Sequence, residues 1–151
     1  MTDAAATADA THVTRSEAET EALGAALSGS LGRNDVVYLE GELGAGKTAF
    51  ARGVARGLGA PAREVASPTF ALVHEYAGGR GEIVLRHLDL YRLADDPREL
   101  EALGLPDSLR GAPVCVEWPG RAIRAALPPT VEVVLEPQAD ESRRIRIVRV
   151  F

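Results

Sequence analysis

The sequence predicts an α/β fold, a single small domain in which a mixed sheet carries helices on both faces. Two observations point there. Short β-branched and apolar runs alternate with helical patterns through the first two thirds of the chain, as in strand–helix–strand units. One glycine-rich octapeptide, Gly41-Glu42-Leu43-Gly44-Ala45-Gly46-Lys47-Thr48, stands where a strand hands over to a helix, which is where open α/β sheets hold their ligands. The length, 151 residues with 46% hydrophobic content, suits one domain with its own core, and the octapeptide makes that domain P-loop NTPase-like.

Taken in order, residues 1–12 are rich in Ala, Thr and Asp, with no basic or apolar segment of an export signal, and are expected to be a disordered tail before a domain at 13–151. Ser16-Glu17-Ala18-Glu19 has capping-box spacing and opens a helix to about Ser30, with Ala22, Leu23, Ala26 and Leu27 on its apolar face. Gly32-Arg33-Asn34 turns the chain into Val36–Leu39, a run suited to a strand buried on both faces. Lys47–Leu58 reads as a helix stopped by Gly59 and Pro61. Strands over Phe70–Tyr76 and Glu82–Leu90 are joined by the turn residues 78–81. A short helix at Pro97–Leu103, a compact strand at Val114–Val116 and a short helix at Arg121–Leu127 follow. Val131–Leu135 and Ile145–Val150 form a closing hairpin.

Composition excludes several classes. Each apolar run is broken well short of the ~18 residues a membrane span needs. A single cysteine, Cys115, rules out an internal disulfide and a cysteine-based zinc cluster, which fits a cytoplasmic location, and its apolar surroundings place it in the core. A net charge of −5 argues against unaided grip on nucleic acid, so any contact with RNA is expected to run through a partner. Arg143, Arg144, Arg146 and Arg149 leave two readings open, an RNA or partner contact and, favoured here, charges that protect an exposed sheet edge.

Of the 17 basic residues only Lys47 is a lysine, and it lies inside the octapeptide. A compact ammonium fits among phosphate oxygens in a tight loop where a broad guanidinium does not. The octapeptide satisfies the G-x-x-x-x-G-K-[ST] pattern in full, so Gly41 through Ala49 are the candidate ATP-binding residues, with backbone N–H groups turned inward as an anion cradle. Lys47 is expected at the β- and γ-phosphates and the Thr48 hydroxyl at Mg²⁺. Such a site also needs an acid on a neighbouring strand. Asp89 and Glu117 both end apolar segments, so Asp89 is assigned to Mg²⁺ and Glu117 to Mg²⁺ or the attacking water; either also suits a solvated strand-end charge. Lys47, Asp89 and Glu117 are thus the candidate catalytic set. Ser67, Thr69 and Phe70 follow the loop helix where a γ-phosphate sensor is often kept, although Ser-Pro-Thr alone is turn chemistry. His87 and Tyr91 share a face with Asp89, and a structural hydrogen bond is the plainer role for that histidine.

With these residues placed, the chain resembles the TsaE family, also called YjeE, small P-loop ATPases of bacterial threonylcarbamoyladenosine synthesis on tRNA. The signposts are Gly-Glu-Leu-Gly-Ala-Gly-Lys-Thr at 41–48, Ser67-Pro-Thr-Phe70, His87-Leu-Asp-Leu-Tyr-Arg-Leu93 and Val116-Glu-Trp-Pro119, within a resemblance spanning about Ser16 to Leu127. The resemblance implies an ATPase that joins TsaB and TsaD and supports turnover of the tRNA-modifying complex. It also implies that Thr69 belongs to a switch-like segment and that Asp89, Glu117 and Trp118 lie by the nucleotide. Gly120 departs from the family, in which an acid is common after Trp-Pro, and beyond Leu127 the match is loose.

Three rival functions make different demands on the sequence. A GTPase would need an Asn/Thr-Lys-x-Asp motif, and the chain has no lysine outside the loop. A small-molecule kinase would need an arginine-rich lid after a helix, which is missing. A non-catalytic module gated by ATP stays open.

Overall fold

The computed structural model describes residues 10–61, 67–70, 73–91, 95–105 and 107–150, with 67–70 described in backbone only. Strands β1 (Ala10–Thr14), β2 (Val36–Glu40), β3 (Ser67–Phe70), β4 (Val73–Ala77), β5 (Ile83–Asp89), β6 (Val114–Glu117), β7 (Val131–Pro137) and β8 (Arg143–Arg149) form one sheet in the order β1-β8-β7-β2-β6-β5-β4-β3. The four central strands, β7-β2-β6-β5, are parallel, and antiparallel hairpin partners extend the sheet on each side. The mixed direction expected from the sequence is therefore present.

Alternation along the strands separates two cores. Val37, Leu39 and Cys115 face a layer made by α1 (Glu17–Ser28) and α2 (Lys47–Gly57). Val36, Tyr38, Val114 and Val116 face the opposite layer, containing α3 (Pro97–Ala102), α4 (Arg121–Ala126) and the turn at Asp107–Leu109. Helices thus cover both faces, and Cys115 is buried as expected. Tyr38, fully buried, donates its hydroxyl hydrogen to the Leu127 carbonyl at 2.6 Å; burial pushes its ionisation up to about 12. Helices α1 and α2 touch backbone to backbone: a Cβ at Gly24 would overlap the Phe50 carbonyl, and one at Gly53 the Glu21 carbonyl. Glu21 then pairs with Arg52 (2.9 Å) and Arg56 (2.7 Å), which fixes the height of the α2 helix against α1.

Three expectations are corrected. Ala10–His12 belong to β1, paired with Ile147, Arg146 and Ile145 of β8, so the assigned tail at 1–12 overlaps a strand. That strand also shields β8, which is therefore interior to the sheet and not the exposed edge its arginines suggested. The stretch from Phe70 to Tyr76 is not one strand, because β3 ends at Phe70 and β4 starts at Val73 in antiparallel register with it. The remaining predicted elements are found within two or three residues of their expected limits.

Candidate functional site

Strand β2 delivers the glycine loop at its carboxyl end, and the loop closes onto the first turn of α2. Gly44 (φ 80°) and Gly46 (φ 102°) adopt left-handed backbone that only glycine takes without strain, which allows the loop to wrap inward. Lys47 is buried at 4% exposure, its Nζ held by the carbonyls of Gly41 and of Glu42 (3.0 Å). The same Nζ lies 4.0 Å from the ring centroid of Trp118, a cation–π contact. Burial depresses the Lys47 ammonium, against the opposing charges of Glu117 and Asp89. Trp118 itself stands at φ 59°, a costly conformation for a bulky residue, and Tyr91 packs on it at 4.9 Å between ring centres.

Glu117 is the best-fixed acid of the cleft. Only 4% exposed, it accepts the Thr48 hydroxyl at 3.0 Å, and its Oε2 lies 2.5 Å from His87 Nε2. A carboxylate only accepts, so the histidine proton sits on Nε2. Burial raises the Glu117 carboxyl, but the His87 and Thr48 hydrogen bonds and the Lys47 charge together outweigh it and hold the group below the usual carboxylate range. Asp89 pairs with Glu117 in the parallel register of β5 and β6 and lines the same cleft, yet it is exposed and accepts the Tyr91 backbone N–H at 3.1 Å.

The structure therefore gathers Leu43, Gly44, Gly46, Lys47, Thr48 and Ala49 with Asp89, Glu117 and Trp118 around one cleft. Leu43, at the loop tip, is exposed. Ser67, Thr69 and Phe70 are placed in backbone on β3 at the far sheet edge; their side chains, on which the switch-like role depends, lie outside the described residues. His87 makes the structural hydrogen bond expected of it, to the acid of the next strand.

Two residues take places at the site that the sequence does not signal. Asp95 accepts the backbone N–H groups of Arg121 (2.9 Å) and Ala122 (2.7 Å) at the start of α4 and abuts Gly120, so a carboxylate stands against the residue that follows Trp118-Pro119. Arg143 reaches the loop from β8. A turn residue and one of four clustered arginines carry no local signal for either role.

A hard-cation site requires oxygen donors, and Thr48, Glu117 and Asp89 supply hydroxyl and carboxylate oxygens at the mouth of the phosphate loop. Among the described residues no group of three or more His, Cys, Asp and Glu forms a metal cage. One hydroxyl and two carboxylates are a donor set that fits Mg²⁺, which is commonly held by one or two carboxylates plus substrate phosphates.

The family model described as "Threonylcarbamoyl adenosine biosynthesis protein TsaE" matches residues 14–145. The chain belongs to the TsaE family. The match passes Leu127, where the sequence reading had the resemblance loosen, and takes in most of the closing hairpin. The chain is 40% identical over 134 residues to the tRNA threonylcarbamoyladenosine biosynthesis protein TsaE of Bacillus subtilis, covering 87% of this chain and 80% of that protein. It is 39% identical over 137 residues to the protein of the same name from Treponema pallidum, covering 89% and 97%. The crystal structure of Bacillus subtilis YdiB superposes with a TM-score of 0.69 at 31% identity, over 95% of this chain and 86% of that one. As a TsaE-family member the chain is a P-loop ATPase-like protein, and no described helix is long and apolar enough to cross a membrane.

Proposed function

We propose that this protein binds and hydrolyses ATP with Mg²⁺ as a component of tRNA threonylcarbamoyladenosine biosynthesis, working in the cytoplasm with TsaB and TsaD. The observation that carries the catalytic part is the arrangement at the ends of β2 and β6 in which buried Lys47, Glu117 and His87 meet the exposed Thr48. The biosynthetic assignment draws on the family model and on the names of the relatives. The two partners come from the family resemblance, and tRNA is reached through the complex.

In this reading the loop N–H groups and Lys47 bind the phosphates. Thr48 and Asp89 would hold Mg²⁺, which would supply positive charge against the phosphate oxygens. Glu117, ionised and aimed by His87, accepts a hydrogen bond from the attacking water or joins the metal site. In this reading hydrolysis by the isolated protein is weak.

Calorimetry with Mg²⁺ tests the first step. ATP binds the wild type, and Lys47→Ala lowers affinity about a hundredfold, the scale of a lost charge-assisted contact to phosphate. Unchanged affinity in that variant defeats the loop assignment. Phosphate release separates hydrolysis from mere gating, and capture of TsaB and TsaD with and without ATP tests the partnership. Transfer of phosphate to a small metabolite with no partner required points instead to a kinase.

A further inference from the structure

The stretches that leave β5 and β6 each bring an acid and an aromatic ring to the cleft, Asp89 with Tyr91 and Glu117 with Trp118. They are joined at three places. The Leu90 N–H donates to the Glu117 carbonyl at 3.1 Å, the Tyr91 ring packs on Trp118, and Asp95 accepts the N–H groups of Arg121 and Ala122 at 2.9 and 2.7 Å. The first lies before Trp118 in the chain and the last lies after it, so the backbone that carries the indole is fastened on both sides. Asp95, Trp118 and Gly120 also share one small hollow with Leu90, Leu100 and Ile123.

A helix start leaves N–H groups to be satisfied, usually by the side chain of its own N-cap residue. In α4 that residue is Gly120, whose backbone is extended as a cap requires (φ −94°, ψ −170°) but which has no side chain to accept them. Asp95 does so from the neighbouring stretch. Its carboxyl fills the space a side chain at 120 would need, since a Cβ there would come within 2.7 Å of its Cγ. The N–H groups of Ala122 and Arg121 hold that carboxyl below the usual carboxylate range, so an anion meets the helix start. Trp118, two residues before Gly120, stands at φ 59°, which a bulky residue keeps only where its surroundings over-determine it. With the fastening after it released, residues 118–120 are free to return to negative φ and carry the indole away from Lys47, whose Nζ now lies 4.0 Å from the ring centroid.

We propose that Asp95 is a positioning residue for the phosphate cleft: by capping α4 through the space that Gly120 leaves, it holds Trp118 in its left-handed backbone over Lys47. Its effect on nucleotide rests on the ATP reading above, whereas its effect on the indole belongs to the protein alone. The exposed turn acid thus acts on the cleft through Trp118 and touches no phosphate itself.

Trp118 is the only tryptophan, so its emission in the full chain without nucleotide reports where the indole sits. Calorimetry with Mg²⁺ and ATP reads the cleft, and urea titration reads stability. Asp95→Ala shifts the emission to the red, opens the indole to acrylamide and weakens ATP about tenfold, the scale of one strained backbone conformation released. Asp95→Asn keeps an acceptor oxygen at the same reach and recovers most of the wild-type emission. Asp95→Ala combined with Gly120→Ser separates positioning from capping. The new hydroxyl caps α4 from its own N-cap, so the urea midpoint returns while emission and ATP affinity stay as in Asp95→Ala. Asp96→Ala, which removes the carboxylate that accepts the Arg98 N–H at the start of α3, keeps the wild-type emission. Wild-type emission and affinity in Asp95→Ala overturn the proposal. So does their return in the double variant, which would leave Asp95 a helix cap and nothing more, or an equal red shift in Asp96→Ala. If Asp95→Ala fails to fold, the double variant with its helix capped carries the test with the same outcomes. A wild type that binds no ATP defeats the ATP reading, and the emission of the variants still judges Asp95.

Discussion

Asp89 and Glu117 end adjacent parallel strands at the same register level, yet they occupy opposite physical worlds. Glu117 is buried and gripped by His87 and Thr48, whereas Asp89 is exposed and touches only the backbone of Tyr91 among the contacts described. Equal position along the sheet therefore does not mean equal role. A carboxylate whose partners are fixed before substrate arrives has already met its ordering cost, and one in solvent has not.

The sharpest way to break this comparison is Glu117→Gln. It keeps shape and removes charge, so ATP binding persists while phosphate release falls about a hundredfold or more, the usual worth of a positioned base. Single-turnover assays check it, and full activity would strip Glu117 of its part in preparing water. Next comes His87→Ala, which leaves a buried carboxylate short of a donor and lowers unfolding stability by about 2 kcal/mol in urea titrations. An unchanged midpoint would show that the histidine is dispensable for holding the acid.

A smaller effect lies in pH. Glu117 is held below its ordinary value of 4.5 in the folded protein, so its contribution to stability is fully present above that pH and is lost as pH falls through the lower folded value. Acid unfolding of Glu117→Gln is accordingly less steep below about 4.5 than that of the wild type. The mildest change is Asp89→Asn. It leaves thermal stability as it was and raises the Mg²⁺ concentration needed for half-maximal ATP binding by about fivefold at most, the scale of a solvated charge. A collapse of binding there would reverse the ranking of the two acids.

The phosphate loop was legible in the sequence because its information is local: glycines at fixed spacing encode a backbone path, and Lys47 and Thr48 follow it without help from elsewhere. The α/β layering was legible from the buried runs Val36–Leu39 and Val114–Val116, which make sense only between two helical layers. The contrast between Asp89 and Glu117 was not. It depends on His87 pointing across to the next strand, and on Trp118 turning back over Lys47 through an unfavourable φ, neither of which has a signature in residue order. The first strand was hidden for another reason. Ala10-Thr-His-Val-Thr14 follows an Ala/Thr/Asp-rich lead and has only one strongly apolar residue, Val13, which faces solvent at 54% exposure. Its place in the sheet comes from its partner, β8.

That pairing has a practical edge. Thr14 sits opposite Arg143, and its hydroxyl is bonded to Thr20 of α1 at 2.8 Å, so the stretch resembling dispensable leader ties the closing hairpin to the first helix. Trimming the polypeptide to residue 15 to obtain a tidier sample would bare the ladder of β8 to other molecules and loosen the arm beside the glycine loop. A shortened version that clumps and takes up nucleotide poorly would then be reporting on where it was cut.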